Sequence, residues 1–179
     1  MKRLSIVLSI LMFQAAVALP SFADDSSPGF YTQAAFAIQF QTDSVGNLGS
    51  SNELYGGSIA LGYFLTDWLA LQGRAQFIDS GADTMTYIYT AAAKLYVLNL
   101  LVDDPNGLIQ PYAIGGIGGY TIDGGGLSTS NFTLELGAGL DLMFTDNLGV
   151  FGEFNYQFVD IQVQSANNIG MNIGVTYRF

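Results

Sequence analysis

From residue 30 onward the chain switches between apolar and small or polar side chains at nearly every step. In the stretch 169–179, Ile169, Met171, Ile173, Val175, Tyr177 and Phe179 share one face, and Gly170, Asn172, Gly174, Thr176 and Arg178 share the other. Strand side chains reverse with period 2, so this pattern predicts a strand that is greasy on one side only. The same alternation recurs over residues 30–41, 55–65, 68–78, 84–98, 110–122, 132–144 and 148–158. Register is least distinct in 110–122, where Gly115, Gly116, Gly118 and Gly119 imply a bulge or close packing. Past residue 23 no apolar run reaches the ~18 residues of a spanning helix, and helical periodicity is missing.

Eight strands follow, and their connections mostly alternate in length. Thr66-Asp67 and Thr145-Asp146-Asn147 read as tight turns, while 42–53, 79–83, the glycine-rich 123–130 and 160–168 read as polar loops. The connection 99–107, with Asp103-Asp104-Pro105-Asn106-Gly107 inside it, is long for a turn side, and strand parity alone assigns it there. An all-β, eight-stranded antiparallel up-and-down barrel fits this order. Alternation by itself leaves a soluble sandwich or a lipocalin-like barrel open.

Side-chain size and charge favour the membrane. The greasy face is bulky and its opposite is glycine, alanine, Ser/Thr and Gln, and a narrow eight-stranded lumen has room only for the second set. Arg74, Lys94, Glu135, Asp141, Glu153 and Arg178 all fall on that small-residue face. A basic residue turned to lipid costs about 2–4 kcal/mol at the bilayer midplane, so these six belong inside a transmembrane β-barrel. Tyr55, Tyr63, Tyr87, Tyr112, Tyr156, Tyr177 and Phe179 stand mostly near strand ends and are expected to form interfacial girdles. Inside, Arg74, Lys94, Asp141 and Glu153 are expected to pair in the lower half of the lumen, because unpaired charges there are costly.

The first 23 residues differ in kind. Lys2 and Arg3 precede an apolar stretch from Leu4 to Leu19, and Ser21-Phe22-Ala23 supplies small residues before a cleavage point. This reads as a signal peptide (1–23), leaving 24–179 as one barrel domain. Removal of the two leader bases leaves three bases against 15 acids in that domain, net −12, which argues against a nucleic-acid partner. Cysteine and histidine are both absent, so Ser-His and Cys-His nucleophiles and the usual zinc ligands are missing. No enzyme and no cofactor is expected.

The leader, the strand number, the loop alternation and the closing Gly174-Val175-Thr176-Tyr177-Arg178-Phe179 resemble the small eight-stranded outer-membrane barrels related to the transmembrane domain of outer-membrane protein A. The resemblance covers the whole mature chain. It implies residence in the outer membrane among lipids and lipopolysaccharide. It also implies biogenesis through periplasmic chaperones and the barrel-assembly machinery, with Tyr177 and Phe179 as the assembly signal. It leaves activity open: a structural or surface-display barrel with a plugged lumen leads, a narrow ion or small-solute channel is the alternative, and a soluble periplasmic ligand-binding barrel is third. The acids Asp43, Glu53, Asp79, Asp83, Asp123 and Asp160 are expected to form a solvated rim, near divalent cations at most.

Overall fold

The computed structural model describes residues 29–42, 53–79, 84–102, 108–124, 127–161 and 164–179. The leader, Asp43, Asp83 and the turn at 103–107 lie outside them. Eight strands, β1 (Phe30–Thr42), β2 (Glu53–Thr66), β3 (Leu69–Asp79), β4 (Met85–Tyr96), β5 (Ile109–Gly124), β6 (Leu127–Met143), β7 (Leu148–Ile161) and β8 (Gln164–Arg178), follow in order. Each pairs antiparallel with its sequence neighbour, and β8 pairs with β1 to close the sheet.

Pairing fixes the dimensions. Followed around the wall, Phe30 leads to Tyr63, Leu71, Ala93, Gly115, Leu136, Tyr156 and Ile169, and Ile169 pairs with Phe40. One circuit therefore climbs from residue 30 to residue 40 of the same strand. At ~3.3 Å per residue and ~4.8 Å between strands, that stagger tilts the strands by about 41° and sets a wall radius of about 8 Å.

The bulky apolar positions face out: Phe36, Ile59, Leu71, Ile117, Leu136, Phe154 and Ile173 are all exposed, while the polar and charged positions of the same strands are buried. A soluble barrel has the reverse polarity. Outward aromatics gather at two levels, with Phe30–Tyr63 and Tyr177–Phe179 at the rim bearing the two described chain ends, and Phe36–Tyr55, Phe77–Tyr87 and Tyr156–Phe158 above them. Tyr55 and Tyr63 lie on one strand, so the levels are separated by about 20 Å of membrane height at this tilt.

Two turns repeat one device. Thr66 Oγ1 accepts from Leu69 N at 3.1 Å, and Thr145 Oγ1 accepts from Leu148 N at 2.9 Å. The shared Thr-Asp-x-Leu sequence thus reverses the chain through a local side-chain acceptor.

Three sequence expectations need correction. Val97 and Leu98 do not extend β4, because the chain turns into a short helix, α1 (Val97–Val102), at the rim. The loops expected at 123–130 and 160–168 are largely strand: Asp123 pairs with Ser128 and Asp160 with Ser165, so both hairpins are taller than loop composition suggested. Tyr112 is no girdle residue, since it faces the lumen and is buried. Of the two readings open for the β5 glycines the bulge falls away, because pairing with both neighbours runs without a shift.

Those glycines serve close packing instead. A Cβ on inward Gly118 would lie 1.8 Å from the Tyr89 carbonyl oxygen, whereas one on outward Gly119 would meet nothing within 4 Å. Inward Gly62 and Gly139 are covered by the rings of Tyr31 and Tyr112, where a Cβ would lie 2.1 and 2.4 Å from ring carbon. A side chain removed from one strand is thereby replaced by an aromatic from another.

Gly118→Val is expected to destabilise the barrel by about 1–3 kcal/mol in urea titrations from lipid vesicles, and Gly119→Val by less than about 0.5 kcal/mol. Equal costs at the two positions would refute this packing account.

Candidate functional site: the charged lumen

Strand alternation turns all six predicted lumen charges inward, and all except Arg178 at the mouth are almost fully buried. Near mid-height, Arg74 on β3 reaches across to β6 and β7. Its Nη1 lies 2.8 Å from Glu135 Oε1 and 2.6 Å from Glu153 Oε1, and Nη2 donates to Glu153 Oε2 at 2.8 Å. One planar fork therefore serves two carboxylates, which a lysine ammonium could not do with the same geometry. Glu153 Oε2 also accepts from the Tyr112 hydroxyl at 3.0 Å, and its Oε1 from Asn155 and Asn172 Nδ2 at 3.4 Å each.

Gln72 completes the guanidinium shell. A guanidinium can only donate, so the Gln72 amide is oriented with its oxygen toward Arg74 Nε and Nη2, 3.1 and 2.9 Å away. Its nitrogen then donates to Gln33 Oε1 at 3.2 Å and to the Tyr31 hydroxyl at 2.9 Å.

Toward the rim the pairing departs from expectation. Lys94 forms no salt bridge among the described residues: it donates to Gln33 Oε1 at 3.1 Å, and its ammonium lies 3.9 Å from the Tyr112 ring centroid. The expected Lys94–carboxylate pair is absent because Glu153 is engaged by the longer Arg74 fork and Asp141 faces Arg178. Asp141 Oδ2 accepts from the Tyr96 hydroxyl at 2.9 Å and lies 3.7 Å from Arg178 Nη2. Arg178 also donates to Gln110 Oε1 and packs its guanidinium 5.0 Å from the Phe64 ring centroid. Among the described residues three bases and three acids share this lumen, so their formal charges sum to zero.

Above Arg74 the contacts continue through amides. Gln39 donates to Gln157 at 3.0 Å, Gln157 to Gln76 at 3.4 Å, and Gln76 to Asn172 Oδ1 at 3.3 Å. A run of side chains thus links β1, β7, β3 and β8 to the charged centre. These amides were legible only as a small polar face, because nothing in one strand says which other strand lies across the lumen.

Of the predicted rim acids, Glu53 accepts from the Tyr55 hydroxyl at the top of β2, and Asp79, Asp123 and Asp160 lie on β3, β5 and β7. Among the described residues, no group of three or more acids could hold a metal ion. Tyr177 and Phe179 contact each other at the rim, ring centroids 5.0 Å apart, and Phe179 N donates to Phe30 O at 2.9 Å.

Residues 9–179 match the family model described as outer membrane protein beta-barrel domain. No curated sequence matches the chain. Among solved structures, Neisserial surface protein A aligns with a TM-score of 0.68 at 20% identity, over 84% of this chain and 97% of that one. The attachment invasion locus protein of Yersinia pestis, in complex with the heparin analogue sucrose octasulfate, aligns at 0.58 and 16% identity, over 86% and 99%. The N-terminal β-barrel domain of Pseudomonas aeruginosa OprF aligns at 0.54 and 19% identity, over 86% and 100%. At these identities the likeness to solved structures is one of fold.

Arg74→Met should cost about 3–5 kcal/mol in unfolding free energy, since it leaves two buried carboxylates without a base. Adding Glu135→Gln and Glu153→Gln to Arg74→Met should recover most of that loss; a triple variant no more stable than the single one would show that the ion cluster is not its source.

Proposed function

The chain belongs to the outer membrane protein β-barrel domain family, and from that membership we propose that it is a non-enzymatic barrel that anchors in the outer membrane and displays its loops outside. The observation that carries this reading is the unbroken run of side chains across the lumen, from Gln39 through Gln157, Gln76, Asn172 and Glu153 to Arg74 and Glu135. A wall only about 8 Å in radius, crossed at mid-height by Arg74, Glu135 and Glu153, supports a plugged lumen. Lipids and lipopolysaccharide surround it, periplasmic chaperones and the barrel-assembly machinery deliver it, and the leader is removed after Ala23.

A narrow ion path is the second reading, favoured by one observation. Buried polar atoms without a protein partner, Gln39 Oε1, Thr133 Oγ1, Glu135 Oε2 and Asn155 Oδ1, lie beside the amide run, where water could bridge them.

Planar-bilayer recordings separate the two. The plugged barrel is expected to give no steady conductance, and Arg74→Met is expected to open only brief events; a large, constant conductance in the native protein, unchanged by substitutions at Arg74 or Glu153, would refute the plug. For biogenesis, deletion of Phe179 is expected to reduce the heat-modifiable outer-membrane form far more than Asp79→Asn or Asp123→Asn. Equal yields from all three variants would remove Phe179 as an assembly signal.

A further inference from the structure

The polarity of α1 is inverted. Val97, Leu98, Leu100 and Leu101 are exposed, Leu101 at 73%, while Asn99, the helix's polar residue, is 4% exposed. Asn99 Nδ2 donates to the Asp67 carbonyl at 2.8 Å, so the polar side chain ties the helix to the β2–β3 turn and leaves the leucines outward. A rim helix bordered by water has the opposite arrangement.

The apolar surface continues beyond the helix. Trp68 in the adjoining turn and Leu108 and Ile109 at the foot of β5 are exposed as well, joining α1 to the outward wall. Trp68 O accepts from Tyr96 N at 2.8 Å, which holds the indole-bearing turn against the residue that precedes α1. Six helical residues offer far less area than the ~800 Å² per partner of a stable protein interface, whereas their continuity with the lipid-facing wall matches an acyl-chain surface. Asp103 and Asp104 follow at once in the sequence.

We propose that α1 is an interfacial foot, lying in the periplasmic leaflet with Leu100 and Leu101 among phospholipid acyl chains and Trp68 at the headgroup level. Short turns and both described chain ends share this rim, which is the periplasmic one in barrels of this kind. Lipid contact on the β3–β5 side then extends below the barrel wall, so the protein meets the two leaflets asymmetrically. The inference rests on the family's membrane setting and is independent of whether the lumen conducts.

The chain has no cysteine and a single tryptophan, which gives two clean reporters. Leu101→Cys and Asp146→Cys, each carrying one fluorophore, are compared in phosphatidylcholine vesicles containing brominated phosphatidylcholine, and again with iodide on both sides. The label at Leu101 is expected to be quenched about three-fold more by bromolipid than the label at the Asp146 turn, with the order reversed for iodide. Equal iodide access at both sites overturns the foot. So does a Leu101 label shielded from both quenchers in cross-linkable pairs, which would assign the surface to a second copy. In a Leu100→Glu, Leu101→Glu variant whose heat-modifiable mobility shows an intact barrel, quenching of Trp68 by bromolipid is expected to fall about two-fold. Unchanged Trp68 quenching in that folded variant also overturns it.

Discussion

Hydrocarbon supplies no hydrogen-bond partner, and that constraint shapes the rest of this molecule. Each exposed backbone amide or carbonyl in lipid would cost several kcal/mol, so the sheet must close on itself. Here closure is the pairing of β1 with β8 from Tyr31–Arg178 to Thr42–Asn167. Once the wall is closed with this stagger, its radius follows, and the radius decides what the lumen can hold.

A lumen that narrow cannot accept a large side chain from every strand at every level. The structure resolves this by exchange: Gly62 and Gly139 surrender space that Tyr31 and Tyr112 fill, and both tyrosine hydroxyls then reach the shell around Arg74. Packing and electrostatics are therefore one problem in this interior. The Tyr112 ring also supports the Lys94 ammonium, so a residue that looked like a membrane girdle in the sequence touches both cations' surroundings.

Much of the architecture was readable beforehand because period 2 is a local property. The inward or outward sense of Arg74, Glu135 or Ile173 follows from its immediate neighbours, and so does the outward bulk that selects lipid. Partner choice is not local. That Arg74 meets Glu135 and Glu153, while Lys94 meets Tyr112, depends on the stagger of five strands around the wall, which no single stretch encodes. Loop composition misled for a related reason: residues 123–124 and 127–130 carry glycine and serine, yet backbone pairing between β5 and β6 satisfies them as strand. The helix α1 escaped notice because six residues are too few to show a helical period.

The closing seam separates the chain's two most distant strands. Every other pair in the wall joins sequence neighbours and can form as a hairpin, two of them around Thr-Asp turns that organise themselves locally. The β1–β8 pair instead brings together residues 125 to 147 positions apart, whose contact entropy must be met before any of its hydrogen bonds return stability. Assembly in chain order therefore carries an open edge on β1 through every intermediate until the final residues arrive. The hazard of this barrel is temporal: its most adhesive surface exists only before the protein is finished, and it vanishes when Phe179 N meets Phe30 O.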